Sequence, residues 1–284
     1  MRLTSYVTHG RSGFGAVVGN GVVDMRLRFG PRFTSLLDIL RDDALAEVLA
    51  ALTGVRADYP LSEIELLRPI VQPEKIICVG ADEAEIPAKG PVDAAKCPNL
   101  FFRTSGALVG HGQPILRPRE SVEFDCEGEI ALVIGREGRR IPPDRAFEFV
   151  AGYTLCNGGT ASGFLPQGWD TITPCKNFDA SGGLGPWLVT CDEIDPAQPL
   201  RLTTRVNGEL RRDHTSASLP FSFPDLVAFI SIFTTLKPGD VIATGVPVAA
   251  DERLDPPRWL RPGDVVETAV PEIGLLRNVV IDEP

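Results

Sequence analysis

The chain is predicted to be a β-rich α/β protein, with a small N-terminal domain ahead of a larger body built mostly of strands. Three observations predict this. Short segments rich in β-branched residues and bounded by Gly or Pro recur along most of the 284 residues. Only two stretches carry the three-and-four apolar spacing of a helix. No GxGxxG or Walker-type phosphate loop accompanies the strands, which argues against a doubly wound sheet.

Taken in order, TSYVTHG and FGAVVGNGVVDM are the first strand segments, with Gly19-Asn20-Gly21 as a hairpin turn. SLLDILRDDALAEVLAAL (35–52) is predicted as one helix. YPLSEIELLRPIVQPEKIICVG carries Pro60, Pro69 and Pro73 and reads as a connector, so a boundary is placed near residue 68, giving units 1–68 and 69–284. Beyond it, strands are predicted in KIICVG, ALVIG, AGYTLC, PWLVT, LRLTTRVNG, DVIATG and DVVETAV. FPDLVAFISIFTTL is the second helix, with Pro224 near its start. LKPGD and LRPGD place Pro-Gly at the centre of two type II turns.

The net charge of −10 disfavours nucleic acid and anionic membrane surfaces as partners, since both demand clustered positive charge. No apolar run approaches the roughly 18 residues of a spanning helix, and MRLTSYVTHGRSGFG lacks a signal-peptide core. Six cysteines without a CxxC pair are expected to be reduced thiols in a cytoplasmic protein.

EFDCEGEIALVIGR (123–136) carries the most pointed chemical signal. Glu123, Asp125, Glu127 and Glu129 alternate, so on one continuous strand all four carboxylates share a face. Alternating acids are ordinarily a solvated edge. Here the run continues into IALVIG, which favours an inward-pointing set that needs a cation. From this point the chain resembles the fumarylacetoacetate hydrolase superfamily over about residues 69–284. The pieces that carry the resemblance are KIICVG, FDCEGEIALVIGR, FVAGYTLCN, KNFDASGGLGPWLVT, VNGELRR, LKPGDVIATGVP and LRPGDVVETAVPEIGLLRN. It implies a mixed β-roll or β-sandwich catalytic domain, a homodimer, and Mg²⁺- or Mn²⁺-dependent chemistry on small β-diketo or 2-oxo acids. In such chemistry the ion stabilises an enolate, and a His–Glu pair activates water.

Carried over position by position, the resemblance places the Glu-x-Glu metal ligands on Glu127 and Glu129 and the active-site lysine on Lys176. The third ligand position, an aspartate in relatives, is Gly158. The His and Glu of the mobile loop fall on Ile86 and Lys89, and further departures stand at Ser162, Ala180, Val246 and Ala249. Asp125, or alternatively Asp179, is the expected substitute ligand if a metal is retained; otherwise Lys176 is expected to neutralise a glutamate directly, leaving no cofactor or only weakly held Mg²⁺ or Mn²⁺. His214 is the best-placed histidine for chemistry. Arg103, Arg212, Asp179 and Thr244 are the expected substrate contacts. Cys156 and Cys175 are expected to be small buried fillers, although a thiolate at either would be favoured by Lys176.

Three functions follow. One is an enzyme repurposed to isomerise, cyclise, dehydrate, decarboxylate or cleave a β-dicarbonyl, 2-oxo-acid or polyketide-like intermediate, with secondary metabolism as a natural setting. The others are a non-catalytic binding or scaffold protein and a metal-dependent hydrolase with a rearranged site. Without the His–Glu pair, the chain is expected to be inert on acylpyruvates and oxaloacetate.

Overall fold

The computed structural model describes residues 1–80, 97–165, 172–247 and 257–284. A 12-stranded mixed sheet, a five-stranded sheet and a two-stranded ribbon organise these residues. The centre of the large sheet runs, in spatial order, through Gly182–Thr190, Val150–Asn157, Gly128–Ile134, Val241–Ala243, Ile76–Val79 and Leu100–Arg103. Val241–Ala243 and Ile76–Val79 pair in parallel. The five-stranded sheet contains Arg201–Val206, flanked by Glu209–Thr215 and Val265–Val270. The protein is therefore β-rich α/β with mixed sheets, as the strand pattern predicts.

The strand Gly128–Ile134 is buried along its whole length. Ala131 and Val133 face one apolar cluster, which contains Cys78, Phe101 and Cys156. Ile130, Leu132 and Ile134 face another, which contains Leu202 and Leu276 of the five-stranded sheet. Burial on both faces accounts for the unbroken aliphatic run IALVI. The expected boundary near residue 68 lies in a connector across which the large sheet is continuous. Arg2 and Leu3 pair with Val189 and Leu188, and one apolar cluster holds both Phe14 and Ala131.

The predicted helix 35–52 forms as two, Leu36–Arg41 and Leu45–Ala51. Ser35 caps the first by accepting from the Asp38 N–H at 3.2 Å. Its end is closed by Ala44 N–H to the Ile39 carbonyl (2.9 Å) and Asp43 N–H to the Leu40 carbonyl (3.2 Å), with Asp43 at φ 51°. That is a Schellman closure in which aspartate takes the left-handed position usually given to glycine. The second predicted helix spans Phe223–Phe233. In LKPGD and LRPGD, the Asp240 and Asp264 N–H groups each reach back 3.0 Å to the Lys237 and Arg261 carbonyls, and Gly239 and Gly263 have φ of 87° and 93°. Both have the positive-φ glycine of a type II turn.

Candidate active site

The four alternating acids do not share one strand. Glu123–Asp125 belongs to the ribbon with Thr160–Ser162, whereas Gly128–Ile134 belongs to the large sheet. Between them the backbone is held by other groups. The Glu127 N–H donates to Asn157 Oδ1 (3.1 Å), the Gly158 N–H to the Glu127 carbonyl (2.7 Å), and Arg212 Nη1 to the Cys126 carbonyl (2.6 Å). The chain thus steps from one sheet to the other at Glu127, and this corrects the expectation of a single acidic face.

Three of the expected residues meet at that step. Lys176 Nζ lies 2.5 Å from Glu127 Oε2 and 2.5 Å from Thr160 Oγ1, and the Thr160 hydroxyl lies 2.9 Å from Glu127 Oε1. Donors and acceptors close a ring: the ammonium donates to the carboxylate and the hydroxyl, and the hydroxyl donates to the other carboxylate oxygen. Lys176 is 7% exposed and lies 5.6 Å from the centroid of the Phe101 ring. Glu129, 3% exposed, accepts from the Gly245 N–H at 2.8 Å. Thr244 places that N–H, since its own N–H and hydroxyl both reach the Ile130 carbonyl, at 3.0 and 2.9 Å.

The environments push the two glutamates apart. Burial alone would raise the Glu127 carboxyl, but the Lys176 ammonium overrides it and holds Glu127 below its usual range. Burial, reinforced by the Glu127 charge, raises Glu129 to about 7 against the opposing pull of Lys176, the Gly245 N–H and Arg103. One carboxylate is therefore fixed as an anion while its neighbour changes protonation near neutrality.

The other expected residues take varied places. Arg103 is 4% exposed and is no surface cation: Nη2 donates to the Gly159 carbonyl at 2.7 Å, anchoring the loop that carries Thr160, and Nη1 is buried without a partner among the described residues. Arg212 lies behind the step, with Nη2 3.9 Å from Asp125 Oδ2. Asp179 is exposed, and a Cβ built on Gly106 would stand 3.2 Å from its Oδ1. Half-buried His214 lies on the strand Glu209–Thr215, its Nδ1 without a partner among the described residues; no hydrogen bond of the Glu127–Thr160–Lys176 ring involves it. Cys156, directly across from Glu129, is buried, and burial together with the Glu129 charge keeps it a thiol, in line with the expected buried filler. Ile86, Lys89 and Ala249 lie outside the described residues. Sequence reasoning did not single out Thr160 or the Gly245 N–H. Thr160 is cross-strand from Asp125, a pairing that the sequence does not display.

The profile described as fumarylacetoacetate (FAA) hydrolase C-terminal matches residues 75–281. The chain belongs to the fumarylacetoacetate hydrolase family. This family member is 34% identical over 267 residues to the mitochondrial oxaloacetate tautomerase Fahd2a of Rattus norvegicus, covering 93% of this chain and 85% of the relative. It is 37% identical over 227 residues to the oxaloacetate tautomerase YisK of Bacillus subtilis (strain 168), covering 78% and 75%. Among solved structures, maleylpyruvate hydrolase from Sphingobium sp. SYK-6, in complex with manganese (II) ion and pyruvate, matches over 100% of both chains at 25% identity and a TM-score of 0.81. A 5-carboxymethyl-2-hydroxymuconate delta-isomerase from Mycobacterium smegmatis matches over 100% of both chains at 29% identity and a TM-score of 0.76.

The donor set of this family member does not fit a divalent ion as the resemblance implies. Mg²⁺ and Mn²⁺ are held by converging hard oxygen ligands. Among the described residues, no three His, Cys, Asp or Glu side chains converge as a metal site. A Cβ built on Gly158 would collide with Glu129 Oε1 and stand 3.3 Å from Glu127 Oε2, so the position that would supply a third carboxylate supplies only a hydrogen atom. Asp125, the expected substitute, is turned to Arg212.

Proposed function

We propose that this chain is a tautomerase or isomerase of 2-oxo acids, with oxaloacetate or a similar 2-oxo dicarboxylate as its substrate. The observation that carries the reading is a pair of neighbouring glutamates in unlike settings, Glu127 bonded to the Lys176 ammonium and buried Glu129 bonded to the Gly245 N–H, so that the first is lowered and the second raised. Two titratable groups whose environments separate them are the signature of assigned acid and base roles. The names of the relatives at 34% and 37% identity support the same class of reaction.

Keto-to-enol conversion needs a base to take a proton from the carbon next to the carbonyl. The electron pair moves onto the carbonyl oxygen, and the proton that the base has taken is then delivered to that oxygen, leaving the base as it began. Glu129, poised near neutrality, takes the carbon proton, and in the reverse direction returns it. Glu127 stays ionised and holds the Lys176 side chain in its orientation. Two N–H bonds of Lys176 are used by Glu127 and Thr160, leaving its third to face the developing enolate oxygen. No step requires an activated water, so Ile86 and Lys89 at the positions of the water-activating pair are no obstacle. This revises the expectation of inertness on oxaloacetate, which rested on that pair alone.

The test is conversion of freshly dissolved enol oxaloacetate by the full-length protein, followed by loss of enol absorbance and by deuterium exchange at the methylene carbon. Acceleration over buffer that Glu129→Gln abolishes is the expected result; a general acid–base group contributes about 10²–10⁴-fold. An unaccelerated rate, or full activity in Glu129→Gln, would refute the reading.

A further inference from the structure

We infer that the Lys176 ammonium, bonded to Glu127, is the resident cation of this site in place of a divalent ion, and that the folded protein has no metal requirement. The inference goes beyond the proposed reaction and depends on no substrate. It rests on how the carboxylates nearest Lys176 among the described residues are already committed.

Both oxygens of Glu127 are engaged, Oε2 by Lys176 at 2.5 Å and Oε1 by the Thr160 hydroxyl at 2.9 Å. A metal at Glu127 would have to displace a mostly buried ammonium from both of its acceptors, Glu127 and Thr160. Oε2 of Glu129 accepts from Gly245, and its Oε1 fills the space into which a side chain at 158 would project. A side chain attached at 158 and the present position of Glu129 Oε1 therefore exclude each other. Asp125 offers no third ligand, having the Arg212 guanidinium and the Cys126 N–H (2.8 Å) as its partners. Charge leads to the same conclusion. Lys176 neutralises one glutamate, so a divalent ion would find at most one unbalanced negative charge, half of what its own charge requires.

Titration of the purified full-length protein with MnCl₂ by calorimetry, and melting curves with Mn²⁺, Mg²⁺ or EDTA, test this without any substrate. Wild type is expected to give no heat of binding at submillimolar Mn²⁺ and an unchanged melting temperature in all three. Lys176→Met frees Glu127 and is expected to gain a Mn²⁺-dependent rise in melting temperature; Lys176→Gln serves if the methionine variant does not fold. One Mn²⁺ bound per wild-type chain with micromolar affinity, or a fall in melting temperature on adding EDTA, would overturn the inference. A wild type and lysine variants that are all silent to Mn²⁺ would also overturn it, since Lys176 would then not be what occupies the ion's place. Because the readout is metal binding, either result leaves the tautomerase test to be decided by its own assay.

Discussion

Replacing Glu129 by glutamine should stabilise the protein at alkaline pH while it stops turnover. The carboxyl is 3% exposed, and burial next to the Glu127 charge raises it from 4.5 to about 7. An acid whose pKa is raised on folding adds stability below its unfolded value and loses that advantage as pH rises through the folded value. The window here runs from about 4.5 to about 7. Above it, the wild type bears the cost of holding a buried anion, about 3 kcal/mol from that displacement. Glutamine cannot ionise, and its amide oxygen can still accept from the Gly245 N–H that Glu129 now uses. The difference in stability, variant minus wild type, should therefore be smallest near pH 4.5, grow through pH 6 and level off above about 7.5. At roughly 2–4 °C per kcal/mol for a chain of this size, the plateau corresponds to about 6–12 °C. Melting curves of both proteins at half-unit steps from pH 4.5 to 9 measure it. A difference that stays flat across this range, or shrinks with rising pH, would mean that Glu129 titrates as an ordinary carboxylate, and its assignment as the proton carrier would fall with it.

Three further substitutions probe the same cluster. Lys176→Met strips the partner from Glu127, whose side chain is 22% exposed, and should cost about 3 kcal/mol, the lower end of what breaking a buried pair costs, together with activity; retained turnover would remove the lysine from the chemistry. Its pH signature is distinct: the lowered Glu127 carboxyl gives wild type stability that is present above the usual glutamate range and lost as pH falls through its folded value, and this acid-side loss should shrink in the variant, as urea midpoints between pH 3.5 and 6 would show. Gly158→Ala drives a methyl against Glu129 Oε1, so kcat should fall about tenfold or more with little change in unfolding midpoint, and an unaltered kcat would show that the carboxylate position is not critical. Thr160→Val removes the hydroxyl that joins Lys176 to Glu127 and should lower kcat about tenfold, with recovery in Thr160→Ser; equal rates in all three would make the hydroxyl incidental.

Much of the strand architecture was legible because short, β-branched runs between Gly and Pro carry the signal locally. The two turns at Pro238-Gly239 and Pro262-Gly263 were equally local. The break of the helix at Asp42–Ala44 was hidden, since an aspartate in the left-handed conformation leaves no glycine to mark it. At the site, Glu127, Glu129 and Lys176 were recoverable only through the order of family motifs, for 49 residues separate Glu127 from Lys176 and no periodicity joins them. A lone threonine in TASG gave no signal of its own. The Gly245 N–H is a backbone donor, and no side-chain pattern can announce one.

The alternation of acids at 123–129 misled for a physical reason that also explains the site. A continuous strand would have placed Asp125 and Glu127 beside Glu129 with like charges at every second position. Instead Gly128, the first residue of the large-sheet strand, lies against Thr204 and Thr268, which pair across the five-stranded sheet and are both buried. A Cβ at 128 would collide with the Thr204 hydroxyl and stand 2.9 Å from that of Thr268, so only glycine lets the two sheets close at this point. The backbone just before Gly128 keeps one more bond beside the large-sheet ladder, from the Gly158 N–H to the Glu127 carbonyl (2.7 Å), and then leaves it. It turns at Cys126–Glu127, where Arg212 and Asn157 take up its polar groups. The turn sends Asp125 toward Arg212, Glu127 toward Lys176 and Glu129 toward Gly245. Three acids that are sequence neighbours thereby acquire three different counterparts, and it is this separation, more than the acidity of the stretch, that gives one of them a proton to exchange near neutral pH.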